Sequence, residues 1–135
     1  MRLLLDTHTF LWFIGGSEEL SRAARGLIED PNNQRLLSVA SLWEMAIKVS
    51  LGKLKLDLSF VELAEREIRG NAIELLVIRP DHLDELAKLP FHHRDPFDRM
   101  IVAQGLAEDI PIISRDRAFE SYSAKVLWQD NAKPR

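Results

Sequence analysis

The run His92-His93-Arg94-Asp95-Pro96-Phe97-Asp98-Arg99-Met100-Ile101-Val102-Ala103-Gln104 sets two carboxylates against the start of an apolar helix. Pro96 suits the first helical position, because its ring fixes a helical φ and its missing N–H would have no partner there. Asp95 then becomes the N-cap and Asp98 the third helical residue, both at the positive end of the helix dipole. Taken alone, an acid cap followed three residues on by a second acid is an ordinary capping arrangement. The helix it opens, from Pro96 to about Glu108, is apolar around most of its circumference and is expected to be buried.

Working outward, Ile110 to Ile113 reads as a strand that ends at Ser114-Arg115-Asp116. Ala118 to Ser121 allows one helical turn, and Lys125 to Trp128 a last strand. Towards the N-terminus, Arg2 to Leu5 is an apolar run cut off by Asp6, which suits a buried parallel strand. Thr7 to Ile14 turns apolar at helical spacing, with Phe10, Trp12 and Phe13 read as core, and Gly15-Gly16 stops it. Helices are expected over Ser21–Glu29, Ala40–Leu51, Ser59–Arg69 (with Ser59 and Glu62 as a capping box) and Pro80–Lys88. Strands are expected over Gln34–Val39 and Ile73–Ile78, while Lys53 to Leu56 is extended or loop. Strands alternating with helices predict one α/β domain, a central mostly parallel sheet of about five strands flanked by helices. It spans residues 1–128, with a polar C-terminal tail over 129–135.

The length of 135 residues fits one domain with a real core. At 46% hydrophobic and 29% charged, the composition is that of an ordinary globular chain. The chain holds no cysteine, which removes disulfides and thiolate sites and fits a cytoplasmic setting. Asp6 breaks the first apolar run too early for a signal peptide, and no run is long enough to span a membrane. The net charge of −3 argues against a broad basic nucleic-acid surface. It does not exclude a nucleic-acid enzyme whose carboxylates are neutralised by metal.

Four acids are expected at one sheet edge. Asp6 follows the first strand, Asp116 follows the fourth, and Asp98 opens the helix that feeds the fourth. Glu44 lies early in the helix after the second strand. Sites in parallel sheets form at the carboxyl ends of the strands. Glu44 also has a bland account, a surface pair with Lys48 one turn on. Four carboxylates in one cavity repel without a cation, and Mg²⁺, with Mn²⁺ as substitute, is the natural choice for an all-oxygen set. Such an ion suits phosphodiester hydrolysis, because it activates a water and offsets phosphate charge.

Four motifs carry a resemblance across most of the chain: Leu-Leu-Asp-Thr-His at 4–8, Ser-Leu-Trp-Glu-Met-Ala-Ile-Lys at 41–48, Asp-Pro-Phe-Asp-Arg-Met-Ile-Val-Ala-Gln at 95–104 and Ile-Ile-Ser-Arg-Asp-Arg-Ala-Phe at 112–119. In this order they resemble the PIN-domain ribonucleases, and within them the VapC-type toxins of bacterial toxin–antitoxin pairs. The resemblance implies that Asp6, Glu44, Asp98 and Asp116 are the catalytic, metal-binding acids. It puts Ser114 in the place of a supporting hydroxyl, often Thr, and leaves Asp95 as an additional, supporting acid. It implies a magnesium-dependent endoribonuclease that cuts single-stranded or looped RNA to a 3′-hydroxyl and a 5′-phosphate. It also implies a homodimer and an antitoxin partner that blocks the site with a basic side chain.

Arg94, Arg99, Arg115 and Arg117 flank the acids, as RNA-phosphate contacts or as plain charge balance. His92-His93 does not make a zinc site, because adjacent histidines face apart and no third nitrogen ligand is near. His8 is placed to line the pocket. Two other readings compete. One is a non-catalytic PIN-like module that binds RNA or scaffolds. The other is a phosphatase with Asp6 as nucleophile, which would want an acid where His8 stands.

Overall fold

A computed structural model of the chain describes residues 1–92 and 94–129. The expected polar tail, apart from Gln129, lies outside the described residues, as does His93.

The described residues form five parallel strands in the order β3-β2-β1-β4-β5. They are β1 (Arg2–Leu5), β2 (Gln34–Ser38), β3 (Ile73–Leu76), β4 (Ile112–Ile113) and β5 (Val126–Leu127). Six helices accompany them: α1 (Thr7–Ile14), α2 (Arg22–Glu29), α3 (Val39–Ser50), α4 (Phe60–Leu63), α5 (Pro80–Lys88) and α6 (Pro96–Glu108). The single α/β domain predicted from the sequence is therefore present, with every strand pairing parallel.

Strand β1 is the centre of the sheet, and its three leucines are buried on both faces, as parallel strands require. Their alternation divides the core. Leu3 and Leu5 join Phe10, Ala24, Ile28, Leu37 and Met45 on one face. Leu4 joins Leu36, Ile101, Val102, Ile112 and Phe119 on the other. Helix α6 lies on that second face, with Arg99 through Gly105 all buried, as its all-round apolar sequence predicts.

Of the boundaries that differ from the sequence expectation, three have a clear local reason, while the last strand is shorter than expected, Val126–Leu127 in place of Lys125–Trp128. The helix expected over Ser59–Arg69 begins with the predicted capping box of Ser59 and Glu62. It then widens into a π turn over Ala64–Ile68 and tightens into a 3₁₀ turn over Arg69–Asn71. The wider turn closes i→i+5 bonds, which brings Leu63 and Ile68 to one face, and both are buried. Strand β4 starts at Ile112 because Pro111 has no N–H for the ladder and the Ile110 N–H donates to Gly105 O. Strand β3 stops at Leu76, after which the Val77 carbonyl accepts from Gln104 Nε2 at 3.3 Å.

Gly105 sets how closely α6 approaches the sheet. A Cβ there would lie 2.9 Å from Ile112 Cδ1 and 3.0 Å from Cγ1, inside normal contact. Gly105→Val should therefore destabilise the fold by about 1–3 kcal/mol through overpacking. Urea unfolding followed by circular dichroism would show this as a lower midpoint with the same slope.

Candidate active site

The strand order reverses between β1 and β4, and the cleft of a parallel sheet opens at such a point. Asp6 leaves β1 there and caps α1, its Oδ1 accepting from the Thr9 N–H at 2.7 Å. Thr9 Oγ1 ties the cap to β4 by donating to Ile113 O at 2.9 Å. Asp6 is 7% exposed, and burial pushes its carboxyl above the usual range. Hydrogen bonds from Ser114 and Thr9 oppose that rise. Ser114 is itself buried and accepts from the Asp116 N–H at 3.0 Å, so one hydroxyl links two of the predicted acids.

Asp116 caps the 3₁₀ turn Arg117–Tyr122, accepting from the Ala118 N–H at 2.9 Å. Asp95 caps α6 as predicted, accepting from the N–H groups of Phe97 at 2.8 Å and Asp98 at 3.1 Å. Glu44 is 5% exposed. It does pair with Lys48, at 2.9 Å, but this is no surface pair. Thr7 Oγ1 lies 2.8 Å from Glu44 Oε1 and 2.9 Å from Ser41 Oγ. The single Thr7 proton goes to the carboxylate, which leaves Ser41 to donate back to Thr7.

Asp98 reports on the whole arrangement. Its pKa is pushed up to about 7, first by burial and then by the charges of Asp95, Glu44, Asp6 and Asp116. Five carboxylates from β1, α3, α6 and the turn after β4 thus act on one small region. Lys48 is bound to Glu44, and the repulsion from the other acids adds to burial in raising the Asp98 pKa. A cluster of carboxylate donors that repel one another fits a hard divalent cation better than a nitrogen- or sulfur-seeking one.

The arginines divide. Arg94, Arg115 and Arg117 are exposed. Arg115 pairs with Glu19 at 2.6 Å and Arg117 with Glu120 at 3.2 Å. Arg99 does not face the pocket: it is 8% exposed and donates to Pro90 O at 2.9 Å and Leu89 O at 3.4 Å, closing the loop before α6. Its buried position one residue after Asp98 follows from the apolar run that surrounds it. This corrects the expectation that Arg99 contacts RNA phosphate.

Thr7 and Ser41 were not singled out in the sequence, although a hydroxyl directly after the strand-ending acid was a usable signal. Trp12, read as core, is half-buried and lines the pocket with Asp6, His8, Arg115 and Asp116.

A second group of ligand-type side chains sits at the far end of α6. Asp81, His82 and Glu108 bring ligand atoms within 4.8 Å of one another. About 15 Å of helix separates Glu108 from Asp98. Arg79 bridges Asp81 and Glu108, Arg2 reaches Glu108 at 3.3 Å, and His82 Nε2 lies 2.8 Å from Glu108. The His82 hydrogen bond holds the Glu108 carboxyl below its usual range. Two arginines already balance this network, unlike the Asp98 pocket.

The PIN domain family model matches residues 3–125. The chain belongs to the PIN-domain family. The family read from the four motifs is thereby borne out. No curated protein matches in sequence. Among solved structures, this PIN domain is similar to that of VapBC2 from Rickettsia felis bound to a DNA fragment from their promoter, with a TM-score of 0.69 and 15% identity over 96% of this chain and 100% of that chain. It is similar to FitAcB from Neisseria gonorrhoeae, with a TM-score of 0.61 and 17% identity over 92% and 95%. It is also similar to VapBC-1 from nontypeable Haemophilus influenzae, with a TM-score of 0.62 and 17% identity over 98% and 100%. At these identities the likeness speaks for the fold.

The raised Asp98 pKa has a stability consequence. Between about pH 4 and pH 7 the folded PIN domain holds a proton that the unfolded chain has released. The stability from this group is complete below about pH 4 and is lost as pH rises through about 7. Metal-free protein should therefore lose more stability from pH 4 to pH 8 than Asp98→Asn does. Thermal melting across that range would show the two curves separating, and Mg²⁺ at pH 8 should raise the wild type more than the variant.

Proposed function

We propose that this PIN domain, residues 1–128, is a metal-dependent endoribonuclease and the toxin of a toxin–antitoxin pair. The observation that carries the reading is the electrostatic coupling of Asp98 to Asp95, Glu44, Asp6 and Asp116, which together with burial raises its pKa to about 7. Asp6, Glu44, Asp98 and Asp116 would hold Mg²⁺ or Mn²⁺. When bound, such an ion supplies Lewis-acid chemistry: it acidifies water and offsets the charge of a phosphodiester. The product ends would be a 3′-hydroxyl and a 5′-phosphate.

The protein's own part is to fix the donors. Thr7 and Lys48 hold Glu44 in one orientation. Ser114 and the Thr9 N–H orient Asp6, and the Asp95 cap sets the start of α6 and so the place of Asp98. Arg94, Arg115 and Arg117 are exposed beside the acids and suit contacts to the RNA backbone.

Membership of the PIN family supports the nuclease reading. The toxin assignment draws support from the fold neighbours, which include a toxin–antitoxin complex from Klebsiella pneumoniae. An antitoxin that inserts a basic side chain among these acids would supply the missing positive charge and block the site. A homodimer acting in the cytoplasm completes the reading. Among the described residues no helix is long and apolar enough to cross a membrane.

Purified protein with Mg²⁺ should cut a mixed pool of single-stranded RNA. Asp6→Asn and Asp98→Asn should each lower the rate by at least roughly a hundredfold, since even residues that only support a metal are worth 10–100-fold. EDTA should abolish cutting. Cutting that persists in EDTA or in both variants would overturn the reading.

A further inference from the structure

Two aromatic pairs flank the acids, and the cleavage chemistry proposed above uses neither. On the β1–β4 side, a cavity of about 220 Å³ is lined by Asp6, His8, Trp12, Arg115 and Asp116. His8 is exposed and stacks on Trp12, with centroids 5.5 Å apart and planes 24° from parallel. The Arg115 guanidinium lies over the Trp12 ring, 4.5 Å from its centroid. On the other side, Trp43 and Phe97 meet edge to face at 5.2 Å. Trp43 immediately precedes Glu44 on α3, and Phe97 immediately precedes Asp98 on α6.

Trp43 is 61% exposed, although tryptophan is usually among the more buried residues. Leaving that much apolar ring in water does little for the fold, so its position calls for something that covers it. An unpaired base offers a free π face and stacks on aromatic rings and on guanidinium planes. Bases inside a duplex are stacked on one another and cannot.

We infer that the His8–Trp12 and Trp43–Phe97 pairs bind unpaired bases on either side of the phosphate held at the acids. The inference rests on the nuclease reading and adds the residues that recognise the substrate. RNA is favoured over a second copy of the chain because both pairs adjoin the acids: His8 and Trp12 line the cavity with Asp6 and Asp116, and Trp43 and Phe97 directly precede Glu44 and Asp98. A protein copy seated on Trp43 would account for one of them and leave His8, inside the cavity, unexplained. Arg115 adds a cation on the His8–Trp12 wall, which suits a polyanion.

The test measures binding apart from cutting. The Asp98→Asn chain is mixed with Mg²⁺ and a fluorescein-labelled RNA decamer of mixed sequence, single-stranded or annealed to its complement. The single strand should bind more tightly and quench tryptophan emission. Adding His8→Ala or Trp43→Ala, both at exposed positions, should each weaken single-strand binding roughly five- to a hundredfold, with duplex binding unchanged. In the active chain the same substitutions should raise KM for the single strand far more than they lower kcat, with melting temperature unaltered. Equal binding of single strand and duplex, no binding at all, or aromatic variants without effect would overturn the inference. So would a Trp43→Ala chain whose only change is a smaller assembly by light scattering. Failure of the nuclease reading shows separately, as an active-site sequence that never cuts with Mg²⁺. Failure of the stacking inference shows as cutting that ignores both aromatic substitutions.

Discussion

Like charge gathered away from water is the constraint on which this cleft depends. Asp6 and Glu44 are nearly inaccessible, and Asp98 sits where it feels four other carboxylates. Asp6 and Glu44 could not stay there unless the backbone or a neighbour supplied donors, because a buried, unpaired carboxylate costs several kcal/mol. The chain meets the demand locally. Asp6, Asp95 and Asp116 each cap a helical turn and accept its first N–H groups. Glu44 takes a lysine and a threonine hydroxyl. What remains uncompensated appears at Asp98, and it is this residual repulsion that makes a divalent cation the chemically natural completion of the cleft.

The fold makes that gathering possible with little extra machinery. A parallel sheet sends every strand's carboxyl end to the same edge, and the helices that follow begin at that edge with their positive ends facing it. A side chain that ends a strand and caps the next helix is therefore both structural and functional. Asp6 does this after β1, and Asp116 does it for the turn after β4. Ser114 joins the two, so the separation of more than a hundred positions between Asp6 and Asp116 closes through a single hydroxyl. The opposite end of α6 shows the contrast. There Asp81, His82 and Glu108 bring ligand atoms within 4.8 Å of one another, yet Arg2 and Arg79 cancel the charge, and the group reads as a latch between α5, α6 and the N-terminus.

The aromatic flanks give the cleft a second character. Acids alone recognise a phosphate through a cation and are indifferent to what the phosphate links. Rings placed one residue before Glu44 and Asp98, and a His8–Trp12 stack in the cavity wall, add a surface to which only exposed bases can respond. On the proposed reading, chemistry and substrate choice are carried by adjacent residues on the same elements.

Much of this was legible in the sequence because the signals are local. Helical periodicity, Pro96 at the first helical position and Asp95 before it fixed α6 to the residue, and the Ser59–Glu62 pair announced its capping box. The abrupt ends of apolar runs at Asp6 and near Asp116 marked strand ends, and the four motifs marked the family. What the chain alone could not decide depended on partners far away in sequence. Whether the Glu44–Lys48 pair lay on the surface or in the cleft was settled by Thr7, which reaches Glu44 from α1. Arg99 looked like one more basic residue beside an acid, but tertiary packing buried it against the carbonyls before α6. Trp12 kept the spacing of a core residue and still became part of the cavity wall, since periodicity tells which side of a helix is apolar and not what lies opposite it. The widening at Ala64–Ile68 likewise answers to the sheet, which demanded Leu63 and Ile68 on one face. Local hydrogen bonding and periodicity are written residue by residue; charge balance, burial and the partner across a cleft exist only once the strands have been brought side by side.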